Sequence, residues 1–184
     1  MKKLILALDI ATRAGFAIGR PGAIPRSGTL VLKRPGEPRE VAYSNFLFWL
    51  WDRLSTERPA LIVKEAPFHL GAFAKKSNSE ANVVLSYGLH AIVEGIAHRH
   101  SIRCENVPAN TVRKHFIGRA DLGKRVKTKQ GVISRCHLLG LMPEDCKDDN
   151  RADALAVFDY AAATFGRVIP GELMMFGEEV ANAV

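Results

Sequence analysis

The sequence of 184 residues contains no run of about 18 apolar residues, so we expect no membrane-spanning helix. It has only three widely spaced cysteines and no CxxC pair, which argues against a zinc ribbon and a disulfide framework: Cys104, Cys136 and Cys146. Small unpaired thiols suit a reducing cytoplasm. No internal repeat or low-complexity linker divides the chain, so a repeat array is not indicated.

The composition is that of a globular domain. Hydrophobic residues make up 47% and charged residues 24% of the chain, which excludes a disordered tail protein and a collagen-like chain. A chain of this length is long enough to bury a sizeable core. Hydrophobic periodicity is lost after residue 166, so we predict one domain over residues 1–166 and a C-terminal tail over residues 167–184.

The positive charge is concentrated in one stretch of the chain. Between Arg99 and Arg135 there are ten basic residues and two acidic ones, a net charge of +8, whereas the whole chain carries +7. Concentrated positive charge beside a neutral remainder suggests a polyanionic partner. A basic, solvated surface without a partner is the alternative.

Hydrophobic patterning predicts five strands and five helices. The strands are predicted at Leu4–Asp9, Ala14–Gly19, Thr29–Lys33, Leu61–Glu65 and Ile102–Val107. The helices are predicted at Val41–Leu54, Asn78–His100, Thr111–Ile117 with Asn110 as its N-cap, Lys129–Leu141 and Asn150–Phe165. Glycines and prolines, Gly15 among them, suggest turns between the first strands. Hairpin strands followed by strand–helix crossovers indicate an α/β fold, a five-stranded mixed sheet flanked by helices on both faces.

Three acidic residues lie where solubility alone would not place them. Asp9 and Glu65 end apolar strands, and Asp153 lies in an alanine-rich helix. Charge beside an apolar layer is costly unless it is paired or bound to metal. Each acid has an ordinary alternative: a turn cap for Asp9, an edge-strand position for Glu65, and an ion pair with Arg151 or Lys147 for Asp153.

Two strand ends and one helix face can meet at one edge of an open sheet, where converging carboxylates would bind hard divalent cations. Two such ions could drive phosphodiester cleavage. The fourth ligand is ambiguous. Residues three or four apart share a helix face, so Asn150 or Asp149 could join Asp153. An amide is the weaker ligand, and we favour Asp149.

Four stretches together carry a resemblance to a known family: ALDIATRAGFAIG with Asp9, IVKEAPF with Glu65, FIGRADLGKRVKTKQGVISRC, and DDNRADALAV with Asp153. Their order and spacing resemble the RuvC family of Holliday-junction resolvases, most closely its phage and prophage branch. The resemblance spans about residues 3–165. Each stretch is weak evidence alone, whereas the ordered set is specific.

The resemblance implies an RNase H-like fold, a homodimer, and cleavage of branched DNA by paired nicks that leave 5′-phosphates. It implies Mg²⁺ as cofactor, with Mn²⁺ able to substitute and two ions in each active site. By position, Asp9, Glu65 and Asp153 match the family's catalytic metal ligands. Asn150 stands where the family commonly has an acid, and Asp149 could replace that acid one position earlier.

The resemblance also implies the DNA-binding residues. Phe68 matches an aromatic residue that contacts bases, and stacking on an unpaired base contributes about 1–3 kcal/mol. Lys129 is the best candidate for a catalytic lysine. The remaining phosphate contacts are expected from Lys75, Lys76, Arg119, Lys124, Arg125 and Lys127.

Three other functions are compatible with parts of the pattern. An RNase H-like nuclease could act instead on forks, RNA–DNA hybrids or ribosomal RNA precursors. A non-catalytic junction-binding protein would explain Asn150, although three intact carboxylates argue against it. The first hairpin also resembles the phosphate-binding hairpin of actin-like sugar kinases, but those enzymes need two such domains and 184 residues are too few.

Overall fold

Strands and helices follow one another in the predicted order through residues 3–67, 80–123 and 125–166, the residues that the computed structural model describes. The elements are β1 Ile5–Asp9, β2 Arg13–Gly19, β3 Arg26–Val31, α1 Arg39–Glu57, β4 Leu61–Glu65, α2 Glu80–Arg99, β5 Arg103–Val107, α3 Ala109–Ile117, α4 Arg125–Leu138 and α5 Asp149–Phe165. None of the helices among these residues is long and apolar enough to cross a membrane. The predicted tail lies outside the described residues.

The strands form one mixed sheet in the order β3-β2-β1-β4-β5. β1, β2 and β3 pair antiparallel as a meander, whereas β1, β4 and β5 pair parallel. The predicted five-stranded mixed sheet is therefore confirmed. Because β1, β4 and β5 run the same way, their carboxyl ends meet at one edge of the sheet.

Side chains that alternate along the strands form two separate apolar layers. On β1, Leu6 and Leu8 pack with residues of α1 and α2, whereas Ile5 and Ala7 pack with residues of α3, α4 and α5. This alternation follows from the two-residue period of a strand. Helices thus cover both faces, as predicted, and we call the two layers the α1–α2 face and the α5 face.

Lys64 lies inside the α1–α2 face, and its side chain is 0% exposed. Its ammonium group donates to Nδ1 of His90 and Oε1 of Glu94, each at 2.9 Å, and to the side-chain oxygen of Asn106. A lysine has three donor hydrogens, so this buried cation is fully satisfied. Burial and the charge of Lys64 lower the pKa of His90 to about 4, which keeps the ring neutral.

Several predicted boundaries are wrong. α4 begins at Arg125 rather than Lys129, because a run of basic residues that reads as a loop consists of good helix formers. The N-cap of α3 is Pro108 rather than Asn110, which lies inside the helix. β3 begins at Arg26, because pairing with Ile18 of β2 extends the strand beyond its β-forming residues.

Gly15 lies within β2, opposite Asp9 and inside the strand predicted at Ala14–Gly19. A Cβ atom at Gly15 would lie 1.9 Å from the backbone oxygen of Asn150 and 3.1 Å from the Cβ of Ala154. Only a residue without a side chain allows this approach. Gly15 therefore lets the first turns of α5 lie directly against the sheet beside Asp9.

Candidate active site

Two carboxylates occupy equivalent positions on neighbouring parallel strands. Leu8 of β1 pairs with Lys64 of β4, so Asp9 and Glu65 each follow by one residue at the same edge of the sheet. By alternation both side chains belong to the α5 face. β4 lies between β1 and β5, so Glu65 is not an edge-strand residue and that alternative is wrong.

Asp153 brings a third carboxylate from the helix that covers these strands. Its neighbours Ala152 and Ala154 are fully buried in the α5 face, and Gly15 permits the close packing of this part of α5. Arg151, one of its expected ion-pair partners, donates instead to Oγ of Ser27 at 2.9 Å. The site is thus assembled from β1, β4 and α5.

The three carboxylates are half-buried, and charges within the site shift their pKa values. Burial raises the pKa of Asp9 well above its usual value, and the negative charges of Glu65 and Asp153 raise it further. Burial, followed by the charge of Asp153, raises the pKa of Glu65 to about 7. Burial also raises the pKa of Asp153. The site therefore concentrates negative charge that the fold does not neutralise.

Two cations lie near these acids without neutralising them. Arg113 of α3 and Lys129 of α4 both lower the pKa of Asp9 and of Asp153, but burial outweighs them. Sequence reasoning missed Arg113 as a site residue. A signal for it existed: Arg113 is the first basic residue after β5, whose last residue pairs with Glu65 at the same sheet edge.

The two candidates for the fourth ligand have different surroundings. Asp149 accepts a hydrogen bond from the Lys129 ammonium group, and this bond lowers the pKa of Asp149. Asn150 donates from its amide nitrogen to the other carboxylate oxygen of Asp149 at 3.3 Å. The predicted metal ligand Asp149 and the predicted catalytic Lys129 are thus paired with each other.

The donor set fits a hard divalent cation. Three half-buried carboxylates with raised pKa values favour a cation, and carboxylate oxygens are the ligands that Mg²⁺ takes. Within the described ranges, no group of three His, Cys, Asp or Glu side chains lies close enough to hold one ion by itself. Mg²⁺ suits such a set, because it usually keeps waters and binds through one or two carboxylates plus substrate phosphate.

The expected DNA-binding residues fall into two groups. Arg119, Arg125 and Lys127 are exposed around the start of α4, beside the half-buried Lys129. The charge of Arg125 lowers the pKa of Asp153, so this basic surface reaches the carboxylates. The other four predicted contacts lie outside the described residues: Phe68, Lys75, Lys76 and Lys124.

Solved structures with a similar fold are Holliday junction resolvases. RuvC from Thermus thermophilus, in complex with its Holliday junction substrate, is 18% identical with a TM-score of 0.64, covering 88% of this chain and 96% of the other. The chain has the RuvC fold. A second T. thermophilus RuvC structure has a TM-score of 0.58 at 18% identity, covering 84% of this chain and 90% of the other.

The Holliday junction resolvase of yeast mitochondria is also similar to this chain. Its TM-score is 0.56 at 13% identity, over 86% of this chain and 77% of the resolvase. No protein-family model and no curated protein matches the sequence. The RuvC fold, which is RNase H-like, is therefore established by three-dimensional similarity, as the motif pattern predicted.

Proposed function

We propose that this protein is a structure-selective, Mg²⁺-dependent endodeoxyribonuclease that resolves four-way DNA junctions. The observation that carries the proposal is the convergence of three half-buried carboxylates, from β1, β4 and α5, at one edge of a RuvC fold. A basic surface lies beside them, as a polyanionic substrate requires. Paired symmetric nicks that leave 5′-phosphates are part of the proposal.

In the proposed mechanism, Asp9, Glu65 and Asp153 would hold Mg²⁺, or Mn²⁺ in its place. When bound, two such ions would supply a nucleophilic water and support for the leaving oxygen. Lys129 and Arg113 place positive charge beside the carboxylates, where it can stabilise charge that develops on the scissile phosphate. Arg119, Arg125 and Lys127 contact DNA phosphates, which supplies affinity and salt dependence rather than sequence recognition.

We further propose that the enzyme acts as a homodimer in a reducing cytoplasm, bacterial or phage-infected. A twofold dimer presents the same site twice, which matches the symmetry of a four-way junction. Light scattering of the purified protein should give the mass of two 20.2 kDa chains. A single-chain mass with and without junction DNA would contradict the dimer but leave the nuclease proposal intact.

The test is cleavage of a labelled synthetic four-way junction beside a linear duplex, a fork and an RNA–DNA hybrid. Wild type is compared with Asp153→Asn, each in Mg²⁺, in Mn²⁺ and in EDTA. We expect paired nicks on the junction in either metal, none in EDTA, and none from the variant. The matched control is Asp159→Asn on the same helix, because Asp159 contacts His115 away from the site.

Each alternative function has its own outcome in this experiment. Preferred cutting of the hybrid or the fork would overturn junction resolution while keeping the metal site. Tight junction binding without cleavage in either metal would support a non-catalytic junction-binding protein. Equal cutting by wild type and Asp153→Asn would show that the carboxylates do not form the active site.

A further inference from the structure

Lys129, Asp149 and Asn150 form a short chain of polar contacts beside the three carboxylates. One oxygen of Asp149 accepts from the Lys129 ammonium group, and the other accepts from the Asn150 amide at 3.3 Å. Both oxygens of Asp149 are therefore engaged by donors of this chain. Lys129 and Asp149 are each 34% exposed, so the pair lies at the mouth of the site rather than in the core.

A carboxylate in this arrangement is a poor candidate for a metal ligand. To reach an ion, Asp149 would have to leave a charge-assisted hydrogen bond, which is the stronger kind of hydrogen bond.

The pair has a clear consequence for Lys129. A lysine carries its charge on a flexible four-carbon stem, and holding it in one place costs rotamer entropy. The contact with Asp149 restricts that freedom at a place where the charge of Lys129 still acts on Asp9 and Asp153. The position of the ammonium group is thereby fixed before any phosphate arrives.

We propose that Asp149 is a positioning residue that holds Lys129 beside the metal carboxylates, and that it is not itself a metal ligand. This replaces the sequence-based preference for Asp149 as the fourth ligand and leaves Asn150 as the residue of that pair free to join Asp153. The role that this proposal gives to Lys129 rests on the proposed nuclease function. The assignment of Asp149 as a non-ligand does not depend on that function.

The first experiment measures Mn²⁺ binding to the DNA-free protein by calorimetry or by electron paramagnetic resonance of free Mn²⁺. Asp149→Asn should keep the wild-type affinity within about twofold. Asp153→Asn should weaken it about tenfold or more, because a ligand is lost. Asp145→Asn is the matched control, since Asp145 is an exposed acid just before α5. Equal weakening by Asp149→Asn and Asp153→Asn would overturn the proposal.

The second experiment measures single-turnover junction cleavage together with junction affinity in Ca²⁺. Lys129→Met should lower the rate about 100-fold, the cost of removing one stabilising charge. Asp149→Asn should lower it about tenfold without changing junction affinity, and the double variant should be no slower than Lys129→Met. Asp149→Glu should recover part of the rate. Rate losses that multiply in the double variant would show that Asp149 acts independently of Lys129.

A third readout separates failure of this inference from failure of the nuclease function. In metal-free protein, the urea midpoints of the two single variants and the double variant give the coupling between Lys129 and Asp149 without any substrate. If wild type cuts no DNA, the proposed nuclease function fails. The assignment of Asp149 is still supported if Asp149→Asn keeps its Mn²⁺ affinity and the midpoint shifts of the two single variants do not add in the double variant. Additive midpoint shifts would overturn the pairing of Lys129 with Asp149.

Discussion

Lys64 and Glu65 are neighbours on β4, and their side chains belong to opposite faces of the sheet. Lys64 is buried in the α1–α2 face with three partners, His90, Glu94 and Asn106. Glu65 belongs to the α5 face, where burial and the negative charge of Asp153 raise its pKa and the charge of Arg113 offsets only part of that rise. β4 thus carries two neighbouring charged residues of different kinds. The charge of Lys64 has a full set of partners, whereas Glu65 lies beside another carboxylate.

The two arrangements serve different ends. Satisfying every donor of Lys64 keeps a buried cation compatible with a stable core. Crowding carboxylates has the opposite effect, because each charge opposes the next and the fold gains nothing from them. Such a loss of stability is expected at a functional site, where the charges are neutralised only when a cation or a substrate binds. Variants on the two faces should therefore separate stability from activity.

The largest effect is expected from the α5 face. Asp153→Asn should lower junction cleavage about 1,000-fold, because a metal ligand is replaced by a weaker neutral group. The urea midpoint should stay the same or rise, since one repulsive charge is gone. Single-turnover cleavage and urea unfolding measure the two quantities. A variant that loses activity and stability together would remove the distinction between the two faces.

Gly15→Ala should disrupt the packing of α5 on the sheet by a steric clash, without any change of charge. The added Cβ would lie 1.9 Å from the backbone oxygen of Asn150, so α5 must move away from β2. We expect a loss of about 3 kcal/mol in the free energy of unfolding, with impaired cleavage. The control is Gly95→Ala in α2, where a Cβ meets no atom within 4 Å. This substitution should raise the free energy of unfolding by about 0.5–1 kcal/mol, because alanine favours the helix more than glycine does. Similar stability changes in both variants would contradict the packing described for Gly15.

Lys64→Met should lower stability without touching the chemistry. It leaves the acceptors of His90, Glu94 and Asn106 without their donor, at a cost of about 2 kcal/mol in the free energy of unfolding. Cleavage at a temperature where the variant is folded should stay within about twofold of wild type. A cleavage loss as large as that of Asp153→Asn would mean that the two faces are not separate.

Glu65→Gln should change how stability depends on pH in EDTA. Burial and Asp153 raise the pKa of Glu65 from 4.5 to about 7, so the folded protein binds more protons than the unfolded chain in this range. Wild-type stability should therefore fall as pH rises through this window, and glutamine removes the part of the fall that Glu65 contributes, while Asp9 and Asp153 keep theirs. The stability advantage of the variant should be small below pH 4.5 and reach about 1–2 kcal/mol above pH 7. A stability difference between Glu65→Gln and wild type that does not change with pH would contradict the raised pKa of Glu65.

Sequence patterns were informative where a feature depends on one element. The shared sheet edge of Asp9 and Glu65 could be predicted because each ends an apolar strand, and parallel strands end at a common edge. The placement of Asp153 near them could be predicted because an acid interrupts an alanine-rich helix. The mixed sheet followed from hairpin signals before crossover signals. Each of these inferences needs only local periodicity and the rules of chain connection.

Features that join distant elements could not be predicted in the same way. The partners of Lys64 lie 26, 30 and 42 residues away, and no spacing rule connects them. The pairing of Lys129 with Asp149 joins α4 to α5, and helix spacing alone could not predict it. The close approach of α5 to Gly15 could not be predicted either, because only the packed structure shows the helix against this strand.

The most direct test of the central claim, that the crowded carboxylates form a divalent-metal site, is thermal unfolding during titration with MgCl₂. A ligand that binds only the folded state raises its stability, and tenfold excess over Kd adds about 1.4 kcal/mol. The melting temperature of wild type and Lys64→Met should rise by about 3–5 °C, and that of Asp153→Asn by less than about 1 °C. Equal shifts in wild type and Asp153→Asn, or no shift in either, would contradict the account.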